Sequence, residues 1–213
     1  MTGEKMVRKE SFWSESMGRE VLNPSLSLHD DGLLNGGMSS GSRDAEGVPR
    51  RRQTLVENGT LSNMLWSTRD AAQQVAEGRI EDASSTGSAS SGGHQSPPST
   101  GCTELFLTSS QPSMTMEQLL ETMGDGYIVN SVMGAHTANP SSGDFSVTTS
   151  AILKVENGEI IGALKQAGLS GNLAKSLKEK VILGDDVRRQ GSYSSGSMHL
   201  SLIHISEPTR RAI

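Results

Sequence analysis

A chain of 213 residues with 24 acidic and 19 basic side chains has a formal net charge of −5, which gives no general attraction to nucleic acid or anionic membranes. Its hydrophobic content of 33%, with 3% aromatic residues and 24 glycines, predicts a modest core and long irregular segments. The sequence has no apolar run near the roughly 20 residues that cross a bilayer, and no signal peptide. The single Cys102 cannot form an internal disulfide, so we expect a cytoplasmic protein without nucleic-acid or membrane partners.

The first part of the chain predicts short strands after an irregular start. Residues 1–18 are polar and lack periodicity, which indicates a poorly defined start of a truncated chain. The predicted domain covers residues 19–199, and residues 19–66 alternate leucines with glycine-rich turns, as short strands do. Asn58-Gly59 and Asn157-Gly158, each within Val-Glu-Asn-Gly, predict two hairpins with type I′ turns.

The middle of the chain carries two helix-start signals separated by a polar stretch. Residues 67–70 resemble a capping box that opens a short helix ending at Gly78. Residues 115–118 form the same pattern before a helix that ends at Gly124. Between the two, residues 83–101 have almost no apolar content and predict a long exposed loop.

The remaining periodicity completes an α+β fold. Residues 104–108, 126–133 and 145–156 are rich in β-branched or alternating apolar residues and predict strands. Residues 172–181 have an apolar side chain at every fourth position, which predicts a helix. The Asn-Gly hairpins and the absence of regular strand-helix alternation favour a predominantly antiparallel β fold with a few short helices.

The end of the chain has an unusual sequence. Residues 200–213 resemble the translation of an adapter used in preparing sequencing libraries, so we expect read-through that is disordered, with the natural sequence diverging near His199. The alternative is a short strand from Leu200 to Ile205, stopped by Pro208.

The familiar catalytic patterns are missing from the sequence, which has no His-Glu-x-x-His, Cys-x-x-Cys, Gly-x-Ser-x-Gly or phosphate-binding loop. His29-Asp30-Asp31 has the atoms to bind a metal, but three polar residues at a strand end favour a solvated turn. Cys102 can act as a nucleophile only beside a base. Residues 50–52 are three arginines, and alternate side chains on a strand point to opposite faces. Either Arg51 faces inward toward a carboxylate while Arg50 and Arg52 face water, or the reverse.

The densest polar constellation lies at residues 134–147, between two predicted strands. It combines an imidazole, an amide, hydroxyl groups and a carboxylate with turn-forming glycine and proline. Such groups on a loop held by strands suit binding of a peptide main chain, while the alternative is an ordinary Asn-Pro turn whose side chains satisfy its own backbone. The candidate substrate-binding residues are His136, Thr137, Asn139, Ser142, Asp144 and Ser146.

Several segments in the same order are similar to the TldD/PmbA family of peptidase subunits, in its carboxy-terminal domain. They are residues 28–32, 44–52, 55–61, 85–87, 134–147, 155–159 and 170–173. The resemblance implies a two-domain subunit of a metallopeptidase involved in proteolysis of peptides. It also implies pairing, in which one subunit carries the metal site and the other lacks it.

The resemblance is greatest to the metal-free PmbA/TldE branch. The metal-holding type has a His-Glu-x-x-x-His motif upstream and a cysteine near its carboxy terminus, whereas residues 184–199 contain no cysteine. We therefore expect no catalytic residue, metal ligand or cofactor in this chain, and zinc or a similar divalent metal in a TldD-type partner subunit. The alternatives are a fragment of the metal-holding catalytic subunit and a non-enzymatic β-rich binding module.

Overall fold

The structure, a computed structural model, describes residues 2–200 and 203–206. It is an α+β fold of mostly antiparallel sheet with short helices, which confirms the predicted class. The helices are α1 (Gly3–Val7), α2 (Thr68–Ala76), α3 (Met116–Met123) and α4 (Leu173–Ser176), with a 3-10 turn at Ala135–Thr137. The strands are β1 (Leu26–Asp31), β2 (Arg52–Glu57), β3 (Thr60–Leu61), β4 (Ala89–Ser90), β5 (Ser99–Thr100), β6 (Leu105–Ser109), β7 (Gly126–Met133), β8 (Asp144–Glu156), β9 (Glu159–Leu164), β10 (Ala167–Asn172), β11 (Ile182–Leu183), β12 (Arg188–Gln190), β13 (Tyr193–Ser195), β14 (Met198–His199) and β15 (Ile203–Ser206).

The first sheet has the strand order β12-β13-β6-β1-β2-β3, and its pairs are antiparallel except β13 with β6. Leu26, Leu28 and Asp30 alternate along β1 toward the buried side, as the two-residue period of a strand requires. The main apolar cluster lies against this sheet. Its buried members are Met6, Trp13, Val21, Leu22, Leu26, Leu28, Val56, Leu61, Val181 and Leu183.

The second sheet is organised around β8, a strand of 13 residues. One edge of β8 pairs with β7. Its other edge pairs first with β10 and then with β9, and β15 lies on the outer edge of β10. Two further two-stranded ladders join β4 to β5 and β11 to β14.

Both predicted hairpins are present, β2 with β3 and β8 with β9. Asn58 and Gly59 have φ values of 46° and 80°, and Asn157 and Gly158 have 51° and 79°, as the two central residues of a type I′ turn require. A β-carbon at Gly59 would also lie 2.6 Å from the Leu22 carbonyl oxygen, so this turn packs too closely for any other residue.

One predicted capping box is correct and the other is half correct. Thr115 accepts the Gln118 N–H and the Gln118 side chain accepts the Thr115 N–H, so α3 has the full box. At α2, Ser67 Oγ accepts the Asp70 N–H at 3.0 Å, but the Asp70 carboxylate binds Thr100 instead. The carboxylate of Glu46, which comes from another loop, accepts the first free N–H groups of this helix.

The prediction of a poorly defined start was wrong for residues 2–18. Helix α1 lies there, and Met6 and Trp13 are buried in the main apolar cluster. The Gly3 N–H donates to the Leu65 carbonyl at 2.9 Å. The amino-terminal segment has too few apolar residues to show a period, but the ones it has fill the core.

The helix predicted at residues 172–181 is much shorter, because α4 ends at Ser176. The Asn23 amide donates to the Glu179 carbonyl at 2.9 Å, and the Asn23 N–H donates to the Leu177 carbonyl at 2.7 Å. A continuing helix would need these two carbonyl groups as acceptors for its own N–H groups, so the helix ends here. Val181 still lies in the main apolar cluster.

Two other predicted segments differ from the structure. Within residues 83–101, residues 90–97 are exposed, but residues 87–89 are buried, so the exposed-loop prediction fits only the tip. The Ala89 N–H donates to Asp44 at 3.0 Å, which anchors this stretch to the first sheet. In the tail predicted to be disordered, Ile203–Ser206 forms β15 on β10, as the short-strand alternative proposed, and residues 207–213 lie outside the described part.

The helices of the described residues are all too short or too polar to span a bilayer.

Candidate functional site

The predicted polar turn connects β7 to β8 at one end of the second sheet. It begins with the 3-10 turn Ala135–Thr137 and continues directly into β8. His136, Thr137, Asn139 and Asp144 are exposed, and Ser142 is half-buried. Ser146 lies inside β8, where it is also exposed and pairs with Ser170 of β10.

Asn139 organises the turn. Its Oδ1 accepts the N–H groups of Ser141 at 2.9 Å and Ser142 at 3.3 Å. Its own N–H donates to the Asp144 carbonyl at 2.8 Å, and its carbonyl accepts the Gly143 N–H at 2.9 Å. The Asn-Pro turn alternative therefore describes Asn139 well, since this side chain is used by its own backbone.

The Asp144 carboxylate remains available at the surface. Its Oδ1 accepts a hydrogen bond from Asn172 Nδ2 at 2.7 Å, and the backbone N–H of Asp144 donates to Ser142 Oγ at 3.2 Å. Hydrogen bonding with the side chains of Ser142 and Asn172 lowers the pKa of Asp144. The turn thus brings together Asn139, Ser142 and Asp144 and presents a fixed negative charge.

The other candidates are less constrained. Thr137 Oγ1 donates to the Gly134 carbonyl at 2.8 Å, which stabilises the 3-10 turn. The His136 imidazole projects from an exposed position on the same turn. The turn is tied to the rest of the molecule because the Phe12 N–H donates to the Pro140 carbonyl at 2.8 Å.

A second polar centre, at Asp30, lies inside the first sheet. Asp30 is 1% exposed, and its Oδ1 accepts the N–H groups of Thr103 at 2.7 Å and Glu104 at 2.9 Å. Burial raises the pKa of Asp30, although these two hydrogen bonds act in the opposite direction. The prediction of a solvated turn at His29-Asp30-Asp31 was therefore wrong, and the alternation Leu26-x-Leu28-x-Asp30 was the signal for burial.

Glu104 is a buried carboxylate beside this centre, and no sequence pattern indicated it. Its Oε1 accepts the Ser39 N–H at 2.9 Å, and its Oε2 forms an ion pair with Arg189 Nη2 at 2.7 Å. Arg189 also donates to the Gly36 carbonyl at 3.1 Å. The pair joins the residue before β6 and strand β12 to the loop after β1.

The three arginines have separate partners. Arg50 donates to Thr103 Oγ1 at 2.6 Å, and Arg51 donates to the Ser85 carbonyl at 3.0 Å. Arg52 pairs with Asp31 at 2.8 Å. Arg50 faces inward, Arg51 is exposed, and Arg52 contacts a carboxylate at the surface, so neither predicted alternation describes all three. Segments 28–32, 44–52 and 85–87, which are far apart in sequence, thus meet at one end of the first sheet, where their polar groups hold loops together.

Cys102 has a phenol as its polar neighbour. Its Sγ lies 3.7 Å from the Tyr193 hydroxyl, and this contact offers no imidazole base for a nucleophile. Among residues 2–200 and 203–206, no three His, Cys, Asp or Glu side chains are grouped so that they could hold a metal ion.

Comparison with known families decides where this architecture belongs. The family profile of the PmbA/TldA metallopeptidase C-terminal domain matches residues 1–207. The chain belongs to the PmbA/TldD family. The metalloprotease PmbA homologue of Haemophilus influenzae is 30% identical over 208 residues, which are 97% of this chain and 41% of that protein. An uncharacterised protein of Methanocaldococcus jannaschii is 30% identical over 197 residues, which are 92% of this chain and 44% of that protein.

Two solved structures have the same fold over nearly the whole of this chain. A candidate modulator of a DNA gyrase from Thermotoga maritima superposes with a TM-score of 0.82 at 29% identity, over 96% of this chain and 44% of that one. TldE from Thermococcus kodakarensis also gives a TM-score of 0.82, at 22% identity, over 96% of this chain and 45% of that one, which shows the shared fold. The chain spans less than half the length of each of these relatives.

Proposed function

We propose that this chain is part of the metal-free subunit of a PmbA/TldD-type metallopeptidase and helps to bind an extended peptide. Hydrolysis would take place in a complex with a metal-holding TldD-type subunit, in the cytoplasm. The metal there, zinc or a similar divalent ion, would polarise the peptide carbonyl and activate water. This chain would supply binding and orientation.

The observation that carries the peptide-binding role is the position of the polar turn beside a free strand edge. Strand β7 is the last strand on its side of the second sheet as far as the structure describes the chain. Its second half, Asn130 to Met133, is exposed and leads into the turn that holds His136 and Asp144. A peptide added along this edge would bond to the β7 backbone and meet the turn at its end.

The charge of the turn favours one end of such a peptide. The Asp144 carboxylate is held by Asn172, and like any exposed aspartate it is ionised at neutral pH. An exposed carboxylate at the end of a strand edge suits a peptide ammonium group or a basic side chain. We therefore include positively charged peptides among the expected substrates.

The test is to purify the complex of this chain with a metal-holding subunit and to measure peptide affinity and turnover. We expect Asp144→Asn to weaken binding of a cationic peptide by about tenfold, since it removes a charge-assisted contact. Lys178→Glu, an exposed change outside the turn, is the control. Unchanged affinity and turnover in Asp144→Asn and His136→Ala would contradict the substrate-contacting role, and failure to isolate any peptidase complex would favour a non-enzymatic binding module.

A further inference from the structure

A cavity of about 600 Å³, here called the α3 cavity, lies between helix α3, residues 111–114 and residues 180–182. Sites for small molecules have volumes of about 300–1,000 Å³, so this cavity has room for a ligand. Its apolar lining includes half-buried Met114 and the buried side chains of Val181 and Ile182. An apolar surface of this kind takes an apolar group of a ligand out of water.

Helix α3 lines the cavity with one face. Gln118, Glu121 and Thr122 are three and four residues apart, so their side chains lie on the same side of the helix. The Gln118 Oε1 atom is used by the capping box, but its Nε2 group has no partner among residues 2–200 and 203–206. The Glu121 carboxylate is exposed and is also unpartnered within these residues. Helix α3 therefore presents an amide donor and a negative charge to the cavity.

Lys180 supplies a positive charge to the same cavity. Asn23, which also lines the cavity, donates from Nδ2 to the Glu179 carbonyl at 2.9 Å, so the backbone just before Lys180 is held in place. The Lys180 ammonium group is exposed, and in the described part of the chain it has no ion-pair partner. Lys180 and Glu121 thus line one cavity without pairing with each other, which leaves both charges available to a ligand.

These charges select one class of ligand. Glu121 repels a ligand that carries only negative charge, and Lys180 repels one that carries only positive charge. A neutral apolar ligand would displace water from both charged groups without replacing its hydrogen bonds. A short peptide with free ends has an ammonium group at one end, a carboxylate at the other and side chains that can meet the apolar lining.

A second cavity, of about 630 Å³, lacks this combination. It is lined by Arg8, Glu10, Glu77 and Arg79, none of which is apolar. Arg79 pairs with Glu77 at 2.8 Å, and Arg8 pairs with Glu4 at 3.2 Å. Both of its arginines already have carboxylate partners, so this cavity offers no comparable site.

We propose that the α3 cavity binds a short zwitterionic peptide, such as a dipeptide, with Lys180 binding the peptide carboxylate and Glu121 its ammonium group. The site is separate from the polar turn at residues 134–147. Helix α3 precedes the start of β7 and the turn follows its end, and a strand of eight residues is roughly 25 Å long. The proposal rests on the cavity alone and is independent of the peptidase role.

The test is an NMR titration of the 15N-labelled 213-residue chain with the dipeptide alanyl-leucine. Amide shifts should change at α3 and at residues 180–182. N-acetyl-alanyl-leucine lacks the ammonium group and alanyl-leucinamide lacks the carboxylate, so each should bind about tenfold more weakly.

Two variants assign each end of the peptide to its partner. Glu121→Gln should weaken binding of alanyl-leucine by about tenfold and leave binding of N-acetyl-alanyl-leucine unchanged, because that ligand has no ammonium group to lose. Lys180→Gln should likewise weaken binding of alanyl-leucine and leave binding of alanyl-leucinamide unchanged. Glu81→Gln and Lys178→Gln make the same charge changes at exposed positions outside the cavity and should have no effect. Circular dichroism should show that every variant folds.

Three results would overturn the proposal. They are the absence of shift changes at millimolar alanyl-leucine, equal affinity for the free and the modified dipeptides, and shift changes centred on residues 134–147 instead of α3. Asp144→Asn, in the turn, should bind alanyl-leucine as the unmodified chain does. This site and the peptide-binding role of the turn can therefore fail separately.

Discussion

Asp30 and Gln53 are register partners across β1 and β2, and each has one buried side-chain oxygen, Oδ2 and Oε1, without a hydrogen-bond partner in the described part of the chain. Neither oxygen has a donor in hydrogen-bond geometry, although the Gln53 side chain, like the N–H groups of Thr103 and Glu104, acts to lower the Asp30 pKa. The Asp30 pKa is raised by burial, so the protonated carboxyl, which has a donor, is favoured relative to an ordinary aspartate.

This relationship predicts losses of stability of different size for two substitutions at Asp30. Asp30→Asn keeps an oxygen for the N–H groups of Thr103 and Glu104 and adds a donor, so the free energy of unfolding should change by less than about 1 kcal/mol. Asp30→Ala leaves both buried N–H groups without an acceptor and should cost about 2–4 kcal/mol. Urea unfolding of both variants measures the difference, and equal losses would contradict it.

The raised pKa of Asp30 also predicts a pH dependence. Between the unfolded pKa of about 3.8 and the higher folded pKa, the folded state binds more protons than the unfolded state. The Asp30 contribution to stability therefore falls as pH rises through that window. Asp30→Asn lacks this term, so its stability relative to the unmodified chain should improve across the window and then level off. A difference that stays constant from pH 3.5 upward, in about half-unit steps, would show that the Asp30 pKa is not raised.

The adjacent arginines Arg188 and Arg189 provide a matched pair for testing the Glu104 ion pair. Arg189 is 33% exposed and pairs with buried Glu104, whereas Arg188 is 71% exposed and pairs with Asp186 at 3.4 Å. Arg189→Ala leaves a buried carboxylate without its counter-charge and should cost about 2 kcal/mol. Arg188→Ala should cost less than about 0.5 kcal/mol. Thermal and urea unfolding will compare them, and similar losses would refute a special role for Glu104.

Alanine substitutions at Gly87 and Gly78 separate two contributions to the loss of stability, a left-handed backbone and close packing. Both have positive φ, 74° and 64°, but a β-carbon at Gly87 would collide with the Pro49 carbonyl oxygen, while one at Gly78 would have nothing within 4 Å. Gly78→Ala should cost about 1 kcal/mol, from the backbone alone. Gly87→Ala should cost about 3 kcal/mol, because the buried segment must also move. If chemical unfolding shows equal losses of unfolding free energy, the segment at residues 87–89 moves to accommodate the β-carbon without a further cost.

The Asp144–Asn172 hydrogen bond can be tested by titration. Asn172→Ala removes a donor that lowers the pKa of Asp144, so that pKa should rise toward its ordinary value. A carboxylate with a lowered folded pKa stabilises the fold above its unfolded pKa, and the stabilisation is lost as pH falls through the folded pKa. Carbon-detected NMR titration of the Asp144 carboxyl measures the shift. An unchanged pKa in Asn172→Ala would mean that Ser142 and Lys175 account for the shift without Asn172.

Local features of this fold could be predicted from the sequence, and contacts between distant segments could not. The Asn58-Gly59 turn and the Thr115 box depend on residues within four positions, so their sequence patterns were sufficient. The end of α4 is decided by Asn23, about 150 residues earlier, through hydrogen bonds that no local pattern contains.

The same distinction applies to the candidate site. The polar turn could be predicted because its residues are contiguous. Within it, the Asn139 side chain accepts hydrogen bonds from the backbone of its own turn, as the Asn-Pro turn alternative predicted. Glu104 was missed because its partners, Ser39 and Arg189, come from either end of the chain. Asp30 was within reach of the pattern, since a third inward position after two leucines predicts burial of whatever residue occupies it.

The central place of β8 has a consequence for how the molecule folds. All contacts of β8 with β7, β9 and β10 join residues between Gly126 and Asn172, while β1 must find β6 across the span from Leu26 to Ser109. Closing short loops costs less chain entropy, so the strands around β8 should assemble in the earlier kinetic phase. The first sheet, with its buried carboxylates and distant partners, should be completed last and should set the overall folding rate.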